Sequence, residues 1–100
     1  MIGEQWARLE AGAQARLGRM RQLSDDLAAV RVRHTAAGGA VTITVDGSAK
    51  LLDLELSEYI SQMSPTEFAR VVIDTAAAAA QLALARRAAL IDEFNDEMNI

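Results

Sequence analysis

Residues 30–56 read VRVRHTAAGGAVTITVDGSAKLLDLEL, three short runs of β-formers parted by two glycine-bearing turns, with a long helical pattern on either side. Val30, Val32 and His34 alternate with Arg31 and Arg33, so the valines face a core and the arginines face out. Val41, Ile43 and Val45 alternate with Thr42 and Thr44 as in a half-buried antiparallel strand. Leu52, Leu54 and Leu56 alternate with Asp53 and Glu55. Ala36-Ala37-Gly38-Gly39 supplies the first turn, with glycines free to take positive φ. Asp46-Gly47 supplies the second and is the strongest hairpin signal in the chain. The expectation is a three-stranded antiparallel meander with one apolar and one polar face.

The preceding segment, residues 3–29, carries Trp6, Leu9, Ala13, Met20, Leu23, Leu27 and Val30 at alternating three- and four-residue spacing. That is an a/d seam, interrupted by Arg16, whose charged end snorkels to water. The seam fits packing against the chain's own second helix or against a second chain. After a connector at residues 57–63, Ser64-Pro65-Thr66-Glu67 signals a helix start, with a serine cap, proline at the first helical position and a capping-box glutamate. Phe68, Val72, Thr75, Ala79, Leu82 and Ala89 continue this helix to about Phe94, and the alanines at 76–80 give a smooth face for close helix approach. The order is helix, three strands, helix: an α+β protomer of α-β-β-β-α type, with residues 1–100 as a single domain.

Strands of this length span roughly 17–23 Å, whereas helices of 25–30 residues span roughly 38–45 Å. The helices therefore overhang the sheet, and a three-stranded sheet leaves two open edges. A two-fold homodimer answers both, with Trp6, Leu9, Ala13, Met20, Ala79, Leu82 and Leu90 as expected interface residues. The connectivity sends both termini away from the sheet, which for straight helices puts Glu4 and Arg8 level with residues 87–92.

Half the residues are hydrophobic, but alanine supplies much of that, and alanine buries little area. With no cysteine, disulfides and thiolate metal sites are excluded. The start of the chain lacks a signal-peptide pattern, and no uncharged apolar run reaches the roughly 18 residues of a membrane span. The expectation is a soluble cytoplasmic protein with no membrane partner. No cofactor motif is present, and His34, the only histidine, has no GxSxG serine to serve, so no enzyme is expected. The acids at 92, 93, 96 and 97 read as a solvated tail rather than a cation site.

The net charge of −4 argues against a protein that coats nucleic acid by bulk basicity. Its distribution is uneven: residues 1–34 hold six arginines against four acids, and residues 35–100 hold four bases against ten acids. Arg8, Arg16, Arg19, Arg31 and Arg33 are thus candidate phosphate contacts, with Arg86 and Arg87 as secondary ones, and any such binding is salt-sensitive and weakly sequence-selective. The bland alternative is a solvated face with scattered ion pairs, worth well under about 1 kcal/mol each.

The hairpin Gly39-Ala40-Val41-Thr42-Ile43-Thr44-Val45-Asp46-Gly47, followed by Lys50-Leu51-Leu52-Asp53-Leu54-Glu55-Leu56 and framed by long helices, resembles the YbaB/EbfC family of bacterial nucleoid-associated proteins. The resemblance implies a homodimer whose helices project like tweezer arms from a shared sheet. It also implies binding to double-stranded DNA in the cytoplasmic nucleoid, with a role in nucleoid organisation or transcriptional regulation. The first helix departs from the family pattern, being Arg- and Ala-rich where members are Gln-, Met- and Lys-rich. That Ala and Arg content looks actinobacterial, and relatives in such genomes include divergent members encoded beside type VII secretion genes, so the alternative is a protein-interaction or chaperone-like accessory role with a polypeptide partner and no DNA.

Overall fold

The computed structural model describes residues 2–36 and 38–99. Helix α1 spans Ile2–Ala28, strands β1, β2 and β3 span Arg31–Thr35, Val41–Asp46 and Leu51–Leu56, a 3-10 turn spans Glu58–Gln62, and helix α2 spans Pro65–Met98. The strands form an antiparallel sheet in the order β1-β2-β3. The α+β, α-β-β-β-α expectation is met, with α2 four residues longer than its sequence pattern suggests.

Register follows the alternation. Val32 pairs with Val45 and His34 with Ile43, Ile43 pairs with Leu54, and Val41 pairs with Leu56, so these side chains share one face. Arg33, Thr44 and Asp53 line up on the other. A β-bulge at Thr44/Val45 lets the β2–β3 pairing slip before the second turn.

Both turns form where the glycines lie, but by different means. Gly38 and Gly39 take φ of 89° and 75°, as expected, and Ala37 of that turn lies outside the described residues. In the second turn the left-handed residue is Ala49, with φ of 64°. Gly47 answers a different need: a Cβ there would sit 3.0 Å from the Leu27 carbonyl oxygen and 3.2 Å from the Val30 Cβ. Left-handed backbone costs an L-residue about 1–2 kcal/mol, and glycine's extra chain entropy returns only part of that. Ala49→Gly should raise stability by about 0.5–1 kcal/mol, a gain of several degrees in Tm at fixed protein concentration. An unchanged or lower melting point would show that Ala49 is not strained.

Asp46 organises the same turn. Its Oδ1 accepts the backbone N–H groups of Lys50 and Ser48, each at 2.9 Å. The Lys50 N–H is the largest cause of a carboxyl held below the usual range, with the Ser48 N–H and the charges of Arg31 and Lys50 acting the same way against a smaller desolvation effect. A lowered folded pKa means stabilisation present above the unfolded value of about 4 and lost as pH falls through the folded one. In thermal melts between pH 6 and 2, Asp46→Ala should be less stable at pH 6 and decline less steeply on acidification. Parallel curves would remove Asp46 from the turn's energetics.

Helix α2 starts as its sequence signals: Ser64 Oγ accepts the Glu67 N–H at 3.1 Å, and Pro65 opens the first turn. It lies across β1 and β2, where Ala40, Val41, Ile43, Val45, Ala79 and Ala83 form the buried centre, and it leaves β3 uncovered. Leu51, Leu54 and Leu56 consequently remain 55%, 41% and 45% exposed. By length and hydropathy α2 would also suffice to cross a bilayer, which the sequence reading did not anticipate. Alanine explains this, since the uncharged stretch covers only residues 75–85.

Helix α1 packs mainly against α2, and here the expected alignment is corrected. Arg19, not Arg8, reaches the end of α2: its guanidinium pairs with Glu97 and lies 5.9 Å over the Phe94 ring. Arg87 lies level with Leu27, Ala28 and Arg31. The first part of α1, to about Arg16, therefore runs roughly 21 Å beyond α2 without a companion. That overhang and the length of α2 account for a molecule 77 Å long and only 19 Å by 16 Å across. Its radius of gyration of 21.0 Å far exceeds the ~13 Å of a compact chain this size.

Candidate nucleic-acid interface

The expected arginines divide into two groups. Arg31 and Arg33 project from β1, and Arg86 projects from α2, about five turns past Phe68, where its packing on the sheet begins. All three line one open cleft of about 780 Å³ between the edge strand β1 and α2, floored by Val30, Val32, Leu82 and Leu90. Arg31 also lines a smaller hollow with Arg87, against the Asp46-Gly47 turn. Folding thus gathers four arginines that are scattered over 57 positions of sequence into adjoining hollows. Asp26 and Glu93 line the same cleft and offset part of the charge.

Local geometry sets how free each guanidinium is. Arg31 Nη1 donates to the carbonyls of Ala28 at 3.1 Å and Val30 at 2.7 Å, which ties the end of α1 to β1 and leaves the other guanidinium N–H groups for a ligand. Arg33 Nη2 donates to Glu55 Oε2 at 2.7 Å across the polar face of the sheet, an exposed pair that a phosphate can displace at small cost. Arg19 is held by Glu97 and Phe94 and is half-buried. Arg8 and Arg16 are exposed on the unaccompanied part of α1, away from the cleft.

Of the apolar residues expected at a subunit interface, Trp6, Leu9 and Met20 are 70%, 67% and 56% exposed and Leu82 is 49% exposed. Ala13 is exposed as well. Ala79 and Leu90 are already enclosed by the protomer itself. A second apolar flank of α2, missed in the sequence, carries Ile73, Ala77, Ala80 and Leu84 at four-, three- and four-residue spacing, with Ile73 66% and Leu84 52% exposed. A helix with two apolar stripes, one through Ala79 and Ala83 and one through Ile73 and Leu84, is built to be covered on two sides. That doubled spacing was the available signal.

His34 lines a shallow hollow with Ala36, Val71, Asp74 and Thr75, where the Thr75 hydroxyl donates to the Val71 carbonyl at 2.6 Å. No grouping of metal-ligating side chains occurs among the described residues.

A sequence profile of the YbaB/EbfC DNA-binding family matches residues 3–98. A search of curated proteins found no match. Among solved structures, an uncharacterized protein of Helicobacter pylori, HP0035, shares the fold with a TM-score of 0.65 at 14% sequence identity, over 87% of this chain and 92% of that one.

Proposed function

Since the chain belongs to the YbaB/EbfC DNA-binding family, we propose that it acts as a homodimer that grips double-stranded DNA through phosphates, with weak sequence preference and no catalysis. On this reading residues 1–100 form one domain and the protein works in the cytoplasmic nucleoid. The observation that carries the proposal is the gathering of Arg31, Arg33, Arg86 and Arg87 along the β1 side of the molecule. Backbone phosphates need only such a cationic surface, and they account for salt-dependent, sequence-tolerant affinity.

The dimer is supported by surface that a lone protomer leaves bare. The chain exposes 7310 Å², against about 5,500 Å² for a compact monomer of 10.8 kDa. Three strands make a sheet about 14 Å wide, and a helix is about 10 Å across, so one α2 covers β1 and β2 and leaves β3 open. Leu51, Leu54 and Leu56 together with Ile73 and Leu84 border that gap. A second copy's α2 fills it, lying beside the first with alanines at the contact, while its own sheet closes the far side. The arginine cleft sits at the opposite edge of the sheet and stays open.

Retention of the protein on duplex DNA at low salt, and its release as salt rises, tests the DNA reading. The competing role, a polypeptide-binding accessory module, is favoured by one observation, the bare Trp6 and Leu9 on the overhanging helix. It calls for no DNA retention at any salt and a specific protein partner in a pull-down.

A further inference from the structure

The overhanging start of α1 is an apolar seam without a cover. Ile2, Trp6, Leu9 and Ala13 continue the same four- and three-residue spacing that, further along the helix, runs into the stretch held against α2 by Arg19. Ile2 is 85% exposed, Trp6 70% and Leu9 67%. Helices of about 15 residues are marginal alone in water even when rich in alanine. This one contains Gly3 and Gly12, each costing about 1 kcal/mol relative to alanine, and a Cβ at either would meet nothing within 4 Å. The segment therefore depends on a partner helix, and the glycines flank the seam where a neighbour would approach.

We infer that the partner is the same segment of another copy, packed antiparallel, so that dimers join arm to arm. Three features select this occupant. The segment's charges balance, Glu4 and Glu10 against Arg8 and Arg16, so it offers no net charge to DNA, to an anionic bilayer or to a highly charged protein. The seam is self-complementary: one antiparallel register sets Trp6 against the partner's Leu9 and Ile2 against the partner's Ala13, pairing large with large and medium with small about a two-fold axis. In that register Glu10 lies by the partner's first helical turn near Gly3, where the helix dipole favours a carboxylate. The seam also lies off the surface assigned to the dimer. Phe94 and Glu97, which meet α1, lie on the sheet-facing stripe of α2, whereas Ile73 and Leu84 lie on the other flank.

Each dimer carries two such arms. A contact between arms of different dimers adds a second two-fold axis, and where the two axes do not meet, alternating them builds an open chain rather than a closed particle. Dimers bound along DNA, or on two duplexes, are then tied to one another. The chain-forming consequence rests on the dimer and DNA reading above, whereas the arm contact itself does not.

Trp6 is the only tryptophan, so its fluorescence reports on the arm alone. Emission and sedimentation of the full-length protein are to be followed together from low micromolar to near-millimolar concentration. The expected result is a water-exposed spectrum in the dilute dimer and a blue shift that develops with concentration as species larger than the dimer appear. Leu9→Ser should abolish both changes while leaving the dimer, and its low-salt affinity for a duplex just long enough to hold one dimer, unaltered. A red spectrum at every concentration with no species above the dimer overturns the inference. So does a blue spectrum in the dilute dimer, because the arm would then be covered within it. Failure of the dimer reading is visible separately, as a monomer in the dilute samples.

Discussion

Ile73→Asp combined with Leu84→Asp should convert the protein from a dimer into a folded monomer. Both side chains are more than half exposed in the protomer, so the substitutions leave its core of Val41, Ile43 and Val45 intact. The proposed dimer buries them, and burying an Ile or Leu contributes about 1.5–3 kcal/mol. Two-fold symmetry counts each substitution twice. The loss is therefore at least about 4 kcal/mol, or roughly a thousandfold in Kd, before the cost of enclosing four carboxylates is added. Light scattering behind size exclusion, with circular dichroism to confirm retained helix, reads the outcome. A variant that remains dimeric would move the interface elsewhere, with Trp6, Leu9 and Met20 next in line. Trp6→Ala and Leu9→Ser leave the dimer intact if α2 and β3 carry it.

The second large effect is on DNA. In a fluorescence-anisotropy titration, the logarithm of the binding constant should fall linearly with the logarithm of salt, with a slope of about −0.9 for each phosphate neutralised. A dimer contributing six or more arginines would lose roughly a thousandfold or more in affinity between 50 and 200 mM salt. Replacing Arg31 by alanine removes one contact per protomer, so the slope should flatten by about 2, and Arg86→Ala should do the same. The effect should be uniform across DNA sequences, because phosphates carry no base information. Arg70→Ala, away from the cleft, is the control. If Arg31 and Arg86 variants keep the parental slope while Arg16→Ala changes it, DNA lies along the overhanging helix instead. If the parent shows no retention at low salt, the accessory-module reading takes over.

Strand order, register and helix identity were legible because alternation with period two and seams of period 3.5 are encoded locally. Ser64-Pro65 marked its helix start for the same reason. What was not legible depended on lengths added across elements. Helix α1 feeds β1 almost at once, whereas α2 spends its first twenty or so residues crossing the sheet before it meets α1. The pair is therefore out of step by about the length from Ile2 to Arg16, and the a/d spacing of α1 says only that a face is apolar, not how far the partner reaches. The same limit applied to the interface. Ala79 and Leu90 were read as available because apolarity does not reveal which of two stripes the protomer's own sheet will take. At Asp46-Gly47 the dipeptide located the turn, but the bulge at Thr44/Val45 moved the left-handed position to Ala49. The arginine cleft was visible only as a local excess, since Arg86 joins Arg31 through tertiary packing.

The two helices also differ in what holds them helical. Residues 76–80 of α2 are alanine, the residue with the least intrinsic resistance to helix formation, and the helix is capped at its start. Its shape is set before any second copy arrives, so little ordering entropy is spent when two such surfaces dock. Subunit exchange in the proposed dimer then follows the kinetics of rigid bodies, with on-rates typical of protein pairs and with mutations felt mainly as faster dissociation. The glycine-bearing start of α1 has the opposite character. Its glycines weaken the helix when it stands alone, so in the proposed arm-to-arm contact it is pairing that holds the segment firmly helical. The two proposed contacts thus differ in kind, one made by a surface that is ready to associate and the other by a segment that association completes.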